Sequence, residues 1–188
     1  MGVIVIQYIS IDGVVEDPDG SDGTPFGGWA MRYGPQGVAG DKFRLGPILT
    51  DGVLLFGRRT REHFATRWPA RDDPFSRAMN AARKAVVTHH DLDPAAWSNS
   101  QVVPESLVPW VRATRGGTDL VGIGSGSVVR QLEEADLVDE YRLLTLPTVL
   151  AAGRRLFPAP RRFALLATEQ VGPGTLSRYG TRAEAAQA

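Results

Sequence analysis

Two short stretches hold the residues best suited to grip an anion. "FGRRT" at 56–60 ends the apolar run Val53–Phe56 on Gly57 and then sets Arg58, Arg59 and Thr60 at what reads as a helix start. "GIGSGSVVRQL" at 122–132 repeats the design, with Gly124, Ser125, Gly126 and Ser127 between the apolar run Leu120–Ile123 and an amphipathic segment. A glycine lets the backbone approach a ligand closely, and the first N–H groups of a helix have no partner inside it. With permanent guanidinium charge beside them, such turns suit a phosphate or a pyrophosphate lying against the amides of 124–126. Thr60 can cap its helix or give its hydroxyl to a phosphate, and Ser127 has the type of an N-cap. Each turn alone also fits a plain chain reversal with solvated arginines. The G-x-G-x-x-G fingerprint is not completed, Arg130 standing where it would continue. Two such turns, both at strand-to-helix junctions, are a stronger signal than either.

The elements that must carry these turns read as alternating strands and helices. Val3–Ile9, Val53–Phe56, Lys84–Thr88, Gln101–Val103, Leu120–Ile123 and Glu140–Leu150 are apolar or β-branched runs and read as strands. Thr60–Trp68, Phe75–Ala82, Leu107–Thr114 and the segment carrying Val128, Val129, Leu132 and Ala135 read as helices. Asp41–Thr50 is a weaker helix, interrupted by Gly46-Pro47. Phe163–Val171 and Thr175–Tyr179, joined by "GPG", close the chain as a hairpin, and Thr181–Ala188 reads as a frayed end. The pattern predicts one α/β domain over 1–188, with a mixed, mainly parallel central sheet flanked by helices and an antiparallel C-terminal hairpin. Residues 13–40, rich in glycine and aspartate, form a loop of a length that often serves as a binding loop or lid.

Composition narrows the chemistry. Twenty-one basic and twenty-one acidic residues cancel in 188, so broad nucleic-acid or membrane-surface binding is not expected. There is no cysteine, which removes a disulfide framework, a thiol nucleophile and Cys-ligated zinc. No run approaches the roughly 20 apolar residues of a membrane helix, and the first residues lack a signal-peptide pattern, so the cytoplasm is the expected compartment. His89 and His90 are adjacent and face opposite ways on extended chain, so they do not chelate a metal together. No metal is expected.

The order of several motifs resembles one family. "SIDGVVE" (10–16), "GGWAMRYG" (27–34), "LLFGRRT" (54–60), "RWP" (67–69), "KAVVT" (84–88), "GIGSGSVVRQL" (122–132) and "ADLVDEYRLLTLPTVLAAGRRLF" (135–157) look like the dihydrofolate-reductase-like proteins related to the reductase domain of riboflavin biosynthesis. The likeness spans about 3–180 and departs at one point, where the family's glycine pair stands as Gly124-Ser125. It implies a dihydrofolate-reductase-like fold, NADPH as cofactor and a homodimer. Arg58, Arg59 and Thr60 would then hold cofactor phosphates, with Gly57 beneath them. Thr88 and His89 would flank the adenine ribose and its 2′-phosphate, and Gly124, Ser125, Gly126, Ser127 and Val128 would cradle the pyrophosphate and nicotinamide side.

The same resemblance places Ser10, Ile11, Asp12 and Gly13 beside the nicotinamide, and Asp41 is spaced like the carboxylate that orients the pteridine in dihydrofolate reductases. Asp12 and Asp41 are thus the candidate catalytic carboxylates, although Asp12 equally fits an Asp-Gly turn and Asp41 a helix cap. Trp29 and Tyr33 could stack on a flat substrate or simply pin their loop. "GRRLF" (153–157) could meet a substrate phosphate or a second subunit. The expected activity is hydride transfer to a small pyrimidine- or pterin-like heterocycle. A binding module without turnover and a true dihydrofolate reductase are the alternatives. The zinc deaminase that accompanies this reductase in riboflavin biosynthesis is not expected in a chain without cysteine.

Overall fold

Apolar strands and their register decide where the two glycine turns end up. The computed structural model describes residues 1–104 and 106–181. Eight strands, β1 (Val3–Ser10), β2 (Val53–Gly57), β3 (Arg83–Val87), β4 (Ser100–Val102), β5 (Leu120–Ile123), β6 (Glu140–Leu146), β7 (Ala164–Val171) and β8 (Gly174–Gly180), run in the order β4-β3-β2-β5-β1-β6-β8-β7. The helices are α1 (Gly34–Val38), α2 (Ile48–Asp51), α3 (Arg58–Ala65), α4 (Pro74–Ala81), α5 (Leu107–Thr114) and α6 (Gly126–Glu134). The chain divides into two compact units. One comprises Met1–Val5 and Leu45–Asp139; the other comprises Ile6–Arg44 and the chain from Glu140 onward.

In the first unit β2 pairs in parallel with β3 on one side and β5 on the other, and β4 extends β3. Leu54, Leu55, Phe56, Leu120 and Val121 are wholly buried, as strands covered on both faces require. The register sets Leu55 opposite Gly122, so β2 and β5 leave the sheet side by side, at Gly57 and Gly124. Helix α4 begins on Asp73, whose carboxylate accepts from the N–H of Phe75 and Ser76, with Pro74 at its first position. Phe56, Phe64, Trp68, Phe75 and Trp97 form a chain of ring contacts along α3.

In the second unit β6, β8 and β7 are antiparallel, with Leu144 opposite Leu176. Trp29, Ala30 and Leu146 form a sealed cluster with Tyr8, Phe26, Tyr33, Val38 and Leu150 against it. Residues 13–40 are more ordered than a bare loop. Buried Asp17 accepts from the N–H of Asp22 and Thr24 and from the Thr24 hydroxyl, a 3-10 turn covers Met31–Tyr33, and α1 follows.

The structure corrects several sequence expectations. Of the expected 41–50 helix only residues 48–50 are helical, as part of α2, because the chain turns through positive φ at Arg44 and Gly46 before Pro47, the N-cap of α2. The 140–150 strand stops at Leu146, ahead of Pro147. Helix α3 begins two residues earlier than expected, on Arg58 itself. The frayed end expected at 181–188 lies outside the described residues beyond Thr181. Among the described residues no helix is long and apolar enough to cross a membrane, and no group of three His, Asp or Glu is placed to hold a metal.

Candidate functional site

The two glycine turns are hydrogen-bonded to each other. The Ser125 hydroxyl accepts from the Gly57 N–H at 2.7 Å and donates to the Thr60 hydroxyl at 2.7 Å. Ser125 holds a left-handed backbone (φ 54, ψ 67), following Gly124 at φ 59, and the peptide between them is trans. A serine in that region costs about 1–3 kcal/mol, and here its hydroxyl is fixed from two sides. Gly57 admits this approach: a Cβ there would sit 3.4 Å from the Ser125 oxygen.

Each turn starts a helix whose first N–H groups carry no side-chain cap. Gly57 is the N-cap of α3 and Ser125 that of α6, and neither side chain caps the helix it begins. Ser127, expected as the cap, is exposed in the first turn of α6, because the helix begins one residue earlier at Gly126. Arg59 is exposed and has no partner among the described residues, whereas Arg58 pairs with Glu62 at 3.0 Å. Two helix N-termini and a guanidinium with no partner among the described residues are groups of the kind that attract an anion. Val128 contributes no side chain to it, being buried with its N–H bonded to the Ser125 carbonyl. Thr88 and His89 follow β3; the Thr88 hydroxyl accepts from the His90 N–H, and the His89 side chain is exposed.

In the second unit three of the five substrate-side candidates, Ile11, Asp12 and Tyr33, converge on one segment, 148–151. Ile11 N–H donates to the Thr148 carbonyl at 2.8 Å, and the Tyr33 hydroxyl lies 2.6 Å from the Thr148 hydroxyl. The Asp12 carboxylate accepts from the Ser10 hydroxyl at 2.7 Å and from the N–H of Leu150 and Ala151 at 3.2 and 2.9 Å. These bonds, the Ser10 hydroxyl foremost, pull the Asp12 carboxyl down to about 2. It is therefore ionised at neutral pH and serves as an acceptor rather than an acid. Ile11 and Val149, at 63% and 64% exposure, leave two apolar side chains bare beside it.

Two readings left open are narrowed here. Trp29 has no exposed surface and its Nε1–H donates to the Glu16 carbonyl at 2.8 Å, so the ring pins its loop and has no face left for a ligand. Asp41 stands in a turn ahead of α2, its carbonyl accepting from Arg44, so it does not ride on a helix as the spacing suggested.

The architecture is that of a dihydrofolate-reductase-like protein: a mixed sheet, parallel on one side and closed by an antiparallel hairpin on the other, with strand-to-helix turns at the strand ends. Residues 2–177 match the model of the RibD C-terminal domain family, and the chain belongs to that family, whose members are reductase-like. A crystal structure of a Shewanella sp. PV-4 protein assigned by name to riboflavin biosynthesis superposes with a TM-score of 0.69 at 20% identity, covering 97% of this chain and 100% of that one. No curated protein matches the chain significantly.

Sequence reasoning missed two buried cations under the first turn. Arg61 is 3% exposed; its Nη2 donates to the carbonyls of Asp93 at 2.6 Å and Trp97 at 3.4 Å, and its Nε has no partner. Lys84 is 1% exposed; its Nζ donates to the carbonyls of Asn80, Ala82 and Ser98 and sits 4.4 Å from the centre of the Trp97 ring. Arg61 and Phe64 stand three residues apart on α3, a spacing that places them on one side of the helix.

Proposed function

We propose that this chain is an NADPH-dependent reductase acting on a small heterocycle of the pyrimidine or pterin type. The observation that carries the reading is the Gly57–Ser125–Thr60 hydrogen-bond chain, which ties together two helix N-termini without side-chain caps, with Arg59, unpaired among the described residues, on the first of them. The residues present suit a dinucleotide's phosphates: Arg58 and Arg59 as cations, the N–H groups of Gly126 and Ser127 at the start of α6, and Thr88 and His89 toward the 2′-phosphate. When bound, NADPH supplies a hydride to a C=N or C=O group. Gly57 and Thr60 hold Ser125 in place, and Gly124 keeps bulk away from the turn.

On the substrate side Ile11 and Val149 offer apolar contact, Tyr33 a hydroxyl, and Asp12 a fixed negative charge that orients a ring N–H or amino group. Asp41 is retained as a second carboxylate to be tested by Asp41→Asn. A phosphoribosylamino-pyrimidine, the reductase substrate of riboflavin biosynthesis, is the compound class that family membership favours. Titration with NADPH should give saturable fluorescence change in the micromolar range or tighter, and NADPH absorbance should fall with a reducible heterocycle present. No saturable change would end the reading. Family relatives are expected to pair, so light scattering should give the mass of a homodimer; a monomer mass would count against that part.

A binding module without turnover is the second reading, favoured by the ionised state of Asp12, which leaves that carboxyl unable to donate a proton. Tight NADPH binding with no oxidation across a panel of dihydropteridines, pyrimidines and quinones would select it.

A further inference from the structure

Arg61 and Lys84 are two cations buried together with no carboxylate on either among the described residues. Burying a charge without a counter-charge is unfavourable unless its hydrogen bonds are met; here backbone carbonyls take three bonds from Lys84 and two from Arg61 Nη2, and Arg61 Nε is left without a partner. Those carbonyls are not scattered. Arg61 reaches Asp93 and Trp97, and Lys84 reaches Ser98, so both cations fasten the same connection, residues 88–99 between β3 and β4. Trp97 adds its Nε1–H to Asn80 on α4 and a ring face to Lys84. The other end of Arg61 is α3, three residues beyond Arg58 and two beyond Arg59.

We propose that Arg61 and Lys84 are positioning residues that lock the 88–99 connection to α3 and α4, and through it set the preference for a 2′-phosphorylated dinucleotide without touching it. The inference rests on the reading above, in which Thr88 and His89 at the head of this connection and Arg58 and Arg59 on α3 face the same phosphate-bearing end of the cofactor. A connection held at 93, 97 and 98 keeps 88–92 from swinging away from the arginines. The two uncompensated charges also leave a positive potential under the first turns of α3, for which an added phosphate dianion is the natural complement.

The test uses Arg61→Lys and Lys84→Met in the full chain. Arg61→Lys keeps the charge but replaces the planar guanidinium, whose Nη2 reaches both carbonyls, by a shorter ammonium; Lys84→Met removes the charge at similar volume. Two readouts are taken: amide hydrogen exchange of 88–99 without cofactor, and the ratio of NADPH to NADH dissociation constants. Exchange in 88–99 should speed up at least tenfold, and the preference for NADPH should fall at least fivefold with NADH affinity little changed. Folded variants that keep the wild-type ratio overturn the proposal, as does unchanged exchange. If Lys84→Met does not fold, Arg61→Lys decides alone. Wild-type protein binding neither dinucleotide would instead bring down the reductase reading, and the proposal with it.

Discussion

Arg59 and Arg58 sit side by side in sequence and differ in what they are free to do. Arg58 is engaged by Glu62 in an exposed pair one helical turn away, an interaction of about 0–1 kcal/mol that a ligand can displace. Arg59 has no such partner among the described residues. A guanidinium that bonds a phosphate dianion contributes about 1.5–3 kcal/mol, so Arg59→Ala should weaken NADPH binding roughly ten- to a hundredfold while sparing NADH, which lacks that phosphate. Equal losses for the two dinucleotides, measured by fluorescence titration, would remove Arg59 from this role. Asp12 carries the opposite lesson at the same scale. Its type and its Asp-Gly context were legible as either acid or turn residue; the three donors that decide between them come from Ser10 and from residues 138 and 139 positions further on. No local pattern announces a partner that distant.

At the level of elements, Ser125 makes two helix starts behave as one. Its hydroxyl is the sole side-chain link between the turn after β2 and the turn after β5 among the bonds described, and it holds Gly57 and Thr60 in fixed relation to α6. Ser125→Ala deletes that link while keeping the left-handed backbone. Both NADPH and NADH should then bind more weakly by a similar factor, about fivefold to tenfold for one net hydrogen bond of about 1 kcal/mol, because the pyrophosphate they share meets these turns. A loss confined to NADPH would contradict this assignment. The strands themselves were readable, since buried parallel strands are continuous apolar runs, and β5 and α5 fall where the residues put them. The start of α6 was misplaced by favouring Ser127 as a cap, when the chain spends Ser125 on the neighbouring turn instead. Asp41–Thr50 failed for a different reason: its apolar residues Phe43 and Leu45 are buried from a turn, and only Leu49 is buried from a helix, the short α2.

Over the whole molecule, the balance of 21 acidic and 21 basic residues hides an unusual placement of two of the cations. Burial, with Arg61 nearby, lowers Lys84 from the usual 10.5 to about 8. Between those values the unfolded chain carries a proton that the folded chain has released, so the site's contribution to stability rises as pH climbs from about 8 toward 10.5. Below pH 8 both states are protonated and the burial penalty is present in full. The melting temperature of wild type relative to Lys84→Met should therefore increase across pH 7 to 10; a flat difference would mean that Lys84 titrates normally. Family, fold class and the pair of glycine turns were open to a reader of the sequence because they rest on motif order and apolar runs. The buried cations were not, because charge type argues for the surface, whereas for Trp29 the residues left stacking and pinning both open, and its sealing selects the second. That sealing has an optical side. Of the four tryptophans only Trp29 falls in the second unit, and it has no surface for a quencher to reach. The emission lost in Trp29→Phe thus belongs to that unit alone, and iodide should dim it only once the unit opens, which lets the melting of the two halves be timed separately in one cuvette.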